Sequence, residues 1–305
     1  MQSLTIRHLT TYRYRQPVSF GEHRMMLRPR DQHDQKVVEA QLGITPEPAS
    51  LRFVQDAFGN HVAIAQFAGR ARELSFESIV SVEHFASDAA KGDLDHSEFA
   101  ACAERLHPDP ADEVARWARQ FLPTPGPATG SPGTEPGESL EFLSRLARGI
   151  HTGFRYRRRE AKGIQTPLET LRLGRGTCRD FALLMVEAAR ALGLAARFVS
   201  GYLATPLSER MEPSSAASVE SPHAATHGAT HGATHAWAQV YLPDIGWVDF
   251  DPTAGSVGKT SLITVAVVCD PYDALPLHGT YAGAASDFLG MDVRVSVTPG
   301  GAQEG

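Results

Sequence analysis

"TCRDFALLMVEAARALGLAARFVSGYL", residues 177–203, reads as a helix followed by a strand. Thr177 can cap the helix start, with Asp180 three residues on as its capping-box partner. Gly193 supplies the left-handed stop, and "LAARFVSGYL" (194–203) then changes to strand character. This arrangement puts Cys178 in the first helical turn, where backbone N–H groups and the helix dipole favour a thiolate. A cysteine in a helix is more often a small core residue. Three features point the other way. Cys178 sits at the helix start, it follows the small-residue turn "GRGT" (174–177) that lets a substrate come close, and a histidine with a nearby acid lies downstream.

That histidine is His235. "HAWAQVYL" (235–242) and "GWVDFD" (246–251) flank the turn "PDIG" and read as a β-hairpin. If His235 and Asp251 are cross-strand partners, the hairpin centres on residue 243, inside that turn. His235, Trp237, Gln239 and Tyr241 share one face of their strand; Trp247, Asp249 and Asp251 alternate together on the other. An acid beside a histidine fixes its tautomer and orientation, the base-orienting role in a nucleophilic triad. Asp249 has the same parity as Asp251. Pro252 favours Asp251, because it ends the strand and holds the preceding residue extended. Spacing alone leaves the choice open.

Outward from this centre, residues 1–85 read as strands and predict an all-β N-terminal domain. "LTIRHLTTYRY" (4–14) alternates, and "FGNH" (58–61) marks a turn between two apolar runs. "DPADEVARWARQFL" (109–122) predicts a helix with its start signal at Asp109-Pro110. The Pro/Gly-rich 123–138 reads as a link, and "SLEFLSRLARGIHTGF" (139–154) as a helix capped by Ser139. Two late strands follow, "SLITVAVV" (261–268) and "MDVRVSVT" (291–298). The division is 1–95 for the β domain, 96–260 for a core, and 261–305 for late strands packing back on the β domain.

The net charge of −6 argues against a nucleic-acid partner. Three cysteines (Cys102, Cys178, Cys269) form no disulfide framework and fit a reducing compartment. No apolar run reaches membrane-spanning length and no leader pattern opens the chain, so a soluble cytoplasmic protein is expected. His223, His227, His231 and His235 recur every four residues, but Gly228 and Gly232 oppose the helix that would align them. The stretch is read as an exposed loop leading to His235, with no metal site and no cofactor. The basic run "RYRRRE" (155–160) is read as a solvated edge.

Two stretches, 166–203 and "THAWAQVYLPDIGWVDFDPTAG" (234–255), together resemble the bacterial transglutaminase-like superfamily. The opening 4–30 resembles that group's N-terminal β domain, and 272–299 its late segment. The resemblance implies an α+β fold: a papain-like core of helices carrying the cysteine, packed on an antiparallel sheet carrying histidine and acid, with an all-β N-terminal domain. It implies Cys178 as nucleophile, His235 as general base and Asp251 as orienting acid, and favours Asp251 over Asp249. The implied chemistry is acyl transfer from a peptide or protein amide through a thioester, to water or to an amine. By the same analogy a partner of ATP-grasp-ligase type is expected. The chain departs from the pattern in its long, low-complexity 205–234, and in Leu183 where many relatives carry His or Trp. Tyr156, Gln165 and Thr166 are the side chains considered for an oxyanion donor beside the Cys178 N–H. Two other readings are a non-catalytic peptide-binding module on the same fold and a histidine-rich metal protein.

Overall fold

β1 (Gln2–Met25) organises the N-terminal half. Its alternation buries Leu4, Ile6, His8 and Thr10 on one face. The first half of β1 pairs antiparallel with β5 (Ala71–His84) on one side and β14 (Phe288–Pro299) on the other. Register shifts near Arg13 bend the strand, and its second half pairs with β4 (His61–Gln66) and β13 (Leu277–Ala282). With β2 (Gln35–Thr45) and β3 (Ser50–Gln55) the path is β2-β5-β1-β4-β3. The computed structural model describes residues 1–85, 102–103, 105, 112–122, 136–157, 163–204, 233–243, 245–258 and 261–300.

The second sheet has the order β11-β10-β9-β8-β12. Its strands are β8 (Ala196–Leu203), β9 (Ala233–Leu242), β10 (Gly246–Asp251), β11 (Ser256–Val257) and β12 (Leu262–Val268). Among the described residues the helices α1 (Glu113–Ala118), α2 (Pro136–Gly153), α3 (Pro167–Leu173) and α4 (Cys178–Ala191) accompany it. The two-residue strands β6 (Arg155–Tyr156) and β7 (Arg175–Gly176) pair in parallel between them. The main core joins Phe142, Leu143 and Ile150 of α2 to Phe181, Leu184 and Met185 of α4, and to the sheet through Val240 and Phe250. Ala236 and Ala238 on β9, both fully buried, let α4 approach the sheet closely.

Two helix starts differ from the sequence reading. The cap of α1 is Asp112, whose carboxylate accepts from the Val114 N–H at 2.9 Å, not the Asp109-Pro110 pair. Helix α2 begins at Pro136, so Ser139 lies inside it and the link is shorter than composition suggests. The boundary at 261 is also corrected. β12 belongs to the core sheet, paired with β8, whereas β13 and β14 pair with β1. All seven residues of β12, six of them apolar, are buried, so no face of that strand betrays which sheet it joins.

The two sheets meet on a dry seam. Leu4, Ile6, Val80, Val82 and Val297 from the first pack on Tyr202, Ile263 and Val265 from the second. His8 crosses it: its Nδ1 lies 2.9 Å from the Tyr202 hydroxyl and its Nε2 3.2 Å from Thr10 Oγ1. Burial pushes His8 from 6.5 down to about 4, so the ring is neutral at neutral pH. β12 is an edge strand, and an unpaired edge inside a seam would strand its backbone groups. Two side-chain amides take them up. Gln35 donates from Nε2 to the Thr264 carbonyl (2.7 Å), and its Oε1 accepts the Thr264 N–H (2.9 Å). Asn60 does the same for Val267, donating at 2.7 Å and accepting at 2.9 Å. The "FGNH" turn thus exists partly to present Asn60; Asp56 holds it by accepting from the Phe58 and Asn60 N–H groups.

Asn60→Ala leaves a buried N–H and a buried C=O of Val267 without these partners. It is expected to cost about 2–4 kcal/mol in urea unfolding; a loss under ~0.5 kcal/mol would refute the clip.

Candidate active site

The first turn of α4 is fixed by polar groups from three segments. Asp180, fully buried, accepts from the Thr177 N–H (2.8 Å) and the Thr177 hydroxyl (2.9 Å) through Oδ2, and from the Gln165 N–H (2.7 Å) through Oδ1. The capping pair expected from sequence is present, and it also ties in the chain entering α3. Gly176 is required by contact: a Cβ there would lie 2.8 Å from the Asp180 Cβ. Behind Cys178, the half-buried Arg179 guanidinium donates to the Pro271 carbonyl at 2.8 Å and lies 4.9 Å from the Phe198 ring centre. The start of α4 is therefore clamped at both sides, with Cys178 buried but at the edge of the core.

His235, near the start of β9, stands opposite Gly201 of β8. A Cβ at Gly201 would fall 2.1 Å from the Ile263 carbonyl oxygen and 2.7 Å from the Trp237 ring, so only glycine fits there. The hairpin register differs from the expected one. Gly246 pairs with Leu242 and Phe250 with Ala238, which centres the turn at 244. Asp249 stands opposite Gln239, and Asp251 is a diagonal neighbour of His235 instead of its direct partner. The contact forms all the same: His235 Nε2 lies 3.0 Å from Asp251 Oδ2, and both side chains are essentially inaccessible to solvent. The other Asp251 oxygen accepts from the Thr253 (3.0 Å) and Ala254 (3.2 Å) N–H groups. The Cys178 thiol lies within hydrogen-bonding reach of the His235 ring. The structure thus brings Cys178, His235 and Asp251 together.

Burial by itself pulls the His235 pKa down, but Asp251 and Cys178 outweigh it and raise it from 6.5 to about 10. Burial pushes Asp251 up, yet His235 and the two backbone N–H groups hold it below its ordinary value. The ring is therefore charged, and Asp251 ionised, across the neutral range.

Asp249 serves a different side chain. It accepts from the Trp237 indole N–H (2.5 Å) and from Gln239 Nε2 (2.9 Å). Of the three side chains considered for an oxyanion donor, two are committed elsewhere. Gln165 Nε2 donates to Thr170 Oγ1 (3.1 Å) and the Arg175 carbonyl (3.0 Å). Thr166 is the N-cap of α3 in a capping box with Glu169. Tyr156 pairs in the strand register with Gly176, two residues before Cys178; its ring lies against Phe181 and the residue is 46% exposed. His223, His227 and His231 lie outside the described residues. Among the described residues no cluster of three or more His, Cys, Asp or Glu side chains could hold a metal ion, and no helix is long and apolar enough to cross a membrane.

The sequence matches two family models: the bacterial transglutaminase-like N-terminal region over residues 4–83, and the transglutaminase-like superfamily core over residues 130–252. The chain belongs to the transglutaminase-like superfamily. The core match contains Cys178, His235 and Asp251. An uncharacterised protein of Mycobacterium tuberculosis is 30% identical over 320 residues, covering 96% of this chain and 92% of the relative. A Mycobacterium leprae protein, also uncharacterised, is 27% identical over 299 residues, covering 98% and 99%. The crystal structure of a candidate cysteine protease from Cytophaga hutchinsonii shares the fold, with a TM-score of 0.63 at 17% identity over 99% of this chain and 92% of that one. The α+β transglutaminase-like core and its β-rich N-terminal region are thus established.

Asp180→Ala removes the cap and leaves the Thr177 and Gln165 N–H groups without it. A loss of about 2–4 kcal/mol in urea unfolding is expected; unchanged stability would contradict the clamp at the start of α4.

Proposed function

We propose that the protein is a cysteine-dependent acyl-transfer enzyme that acts on peptide or protein amides through a thioester on Cys178. The observation that carries this reading is the buried His235–Asp251 pair within reach of a thiol at a helix start. A charged imidazole beside a thiol, with helix N–H groups behind it, favours a thiolate–imidazolium pair.

In the acylation step the Cys178 Sγ attacks the amide carbonyl carbon. The carbonyl oxygen takes up the electron pair and is stabilised by the Cys178 backbone N–H. The tetrahedral species collapses as the C–N bond breaks, and His235 hands its proton to the departing amine. Neutral His235 then takes a proton from water or from an incoming amine, which attacks the thioester carbon. The C–S bond breaks and the thiolate returns beside imidazolium. Asp251 keeps its proton-free form throughout and holds the ring in one orientation.

Iodoacetamide tests the reading without a known substrate. Cys178 is expected to alkylate at neutral pH at least ~10-fold faster than Cys102 and Cys269, which are buried in a separate cluster. The rate should form a plateau across neutral pH that ends as pH rises towards about 10, where His235 gives up its proton. Asp251→Asn removes the main support for that proton, so the ring discharges within the neutral range. Cys178 labelling at pH 7 should then fall at least ~10-fold and follow the steep rise of an ordinary thiol. Equal labelling of all three cysteines would reject the enzyme reading and favour a binding module.

A further inference from the structure

His235 is oriented by Asp251 on one side, but its ring also lies against Trp237, with centroids 6.2 Å apart and planes 26° from parallel. Trp237 is fully buried and held by more than packing. Its indole N–H donates to Asp249 Oδ1 at 2.5 Å. The same oxygen accepts from Gln239 Nε2 at 2.9 Å, and Gln239 Oε1 accepts from Arg197 Nε at 2.7 Å. Arg197 pairs with Gln239 and Gln239 with Asp249 in the strand register, so the three side chains form one row across β8, β9 and β10. Arg197 and Gln239 are 1% exposed and Asp249 6%. The guanidinium also lies 4.1 Å over the Trp247 ring.

Placing an arginine and an aspartate in a dry sheet is costly, and a leucine pair would fill the space more cheaply. What the row does, and an apolar filling would not, is fix the indole in one orientation through a charged acceptor that has no freedom of its own. We propose that Arg197, Gln239 and Asp249 are positioning residues that lock Trp237 against His235, and so set the imidazole geometry toward Cys178. This rests on the acyl-transfer reading above. The titratable groups that act on the His235 ring are Asp251 and Cys178; Asp249 binds the indole N–H.

The test is the pH profile of Cys178 alkylation in folded variants. Asp249→Ala should lower the neutral rate about 10-fold and bring the end of the plateau to lower pH, as expected for a misplaced base. Asp249→Asn keeps an oxygen for both N–H donors and should stay within about 3-fold of the parent with the plateau intact. Trp237→Phe loses the tethered N–H and should behave like Asp249→Ala; it carries the test should Asp249→Ala fail to fold. A role in packing alone would lower thermal stability in all three and leave the profile of the folded protein unmoved. A parent plateau retained in both Asp249→Ala and Trp237→Phe overturns the positioning role and leaves the acyl-transfer reading intact. A parent protein with no plateau at Cys178 overturns that reading instead.

Discussion

A histidine and an aspartate, 3.0 Å apart and sealed from water, set terms that much of this molecule must meet. Desolvation opposes charge on both, and each is tolerable there only because the other is charged and close. Asp251 needs two further donors, which the turn after β10 supplies from Thr253 and Ala254. The Trp237 ring that lies against His235 needs a glycine on β8, which is Gly201. The pair is useful only if a thiol faces it, and that depends on the capped and clamped start of α4. Removing one partner would leave an uncompensated buried charge, so the arrangement is held as a unit.

The N-terminal β domain contributes at a distance. β12 is the outer strand of the sheet that carries His235, and Gln35 and Asn60 complete its edge. β8, between β12 and β9, positions Gly201, Arg197 and Tyr202 in turn. The seam is thus a support for the sheet, and the neutral His8 bonded to Tyr202 is one of its few polar crossings. The first 85 residues thus complete the outer edge of the sheet that carries His235.

Local signals were legible in the residue order. Thr177 and Asp180 are three apart in one turn, and their bond forms as the spacing requires. The hairpin was legible too, but its register was shifted by one residue at the turn centre. Strand parity survives that shift in pairing sum, so His235 and Asp251 stay on one face and meet diagonally. Asp249 shows what parity cannot tell: both acids have the same phase, and only the row to Arg197, a strand separated by a long stretch of sequence, reveals which side chain each serves. Gln165 and Thr166 were considered as donors to a substrate, yet "TPLE" (166–169) is itself a capping pattern that commits Thr166 to α3. β12 packs on the β domain through Ile263 and Val265, as expected of the late strands, but its pairing with β8 was not legible, because a run buried on both faces carries no alternation to read.

The central claim is that His235 carries a proton at neutral pH because Asp251 and Cys178 hold it there. Nitrogen-15 NMR of the histidine rings measures this directly. His235 is expected to show both ring nitrogens protonated at pH 7 and to titrate only as the pH nears about 10. A His235 ring that is neutral at pH 7, or that titrates near the ordinary 6.5, would contradict it.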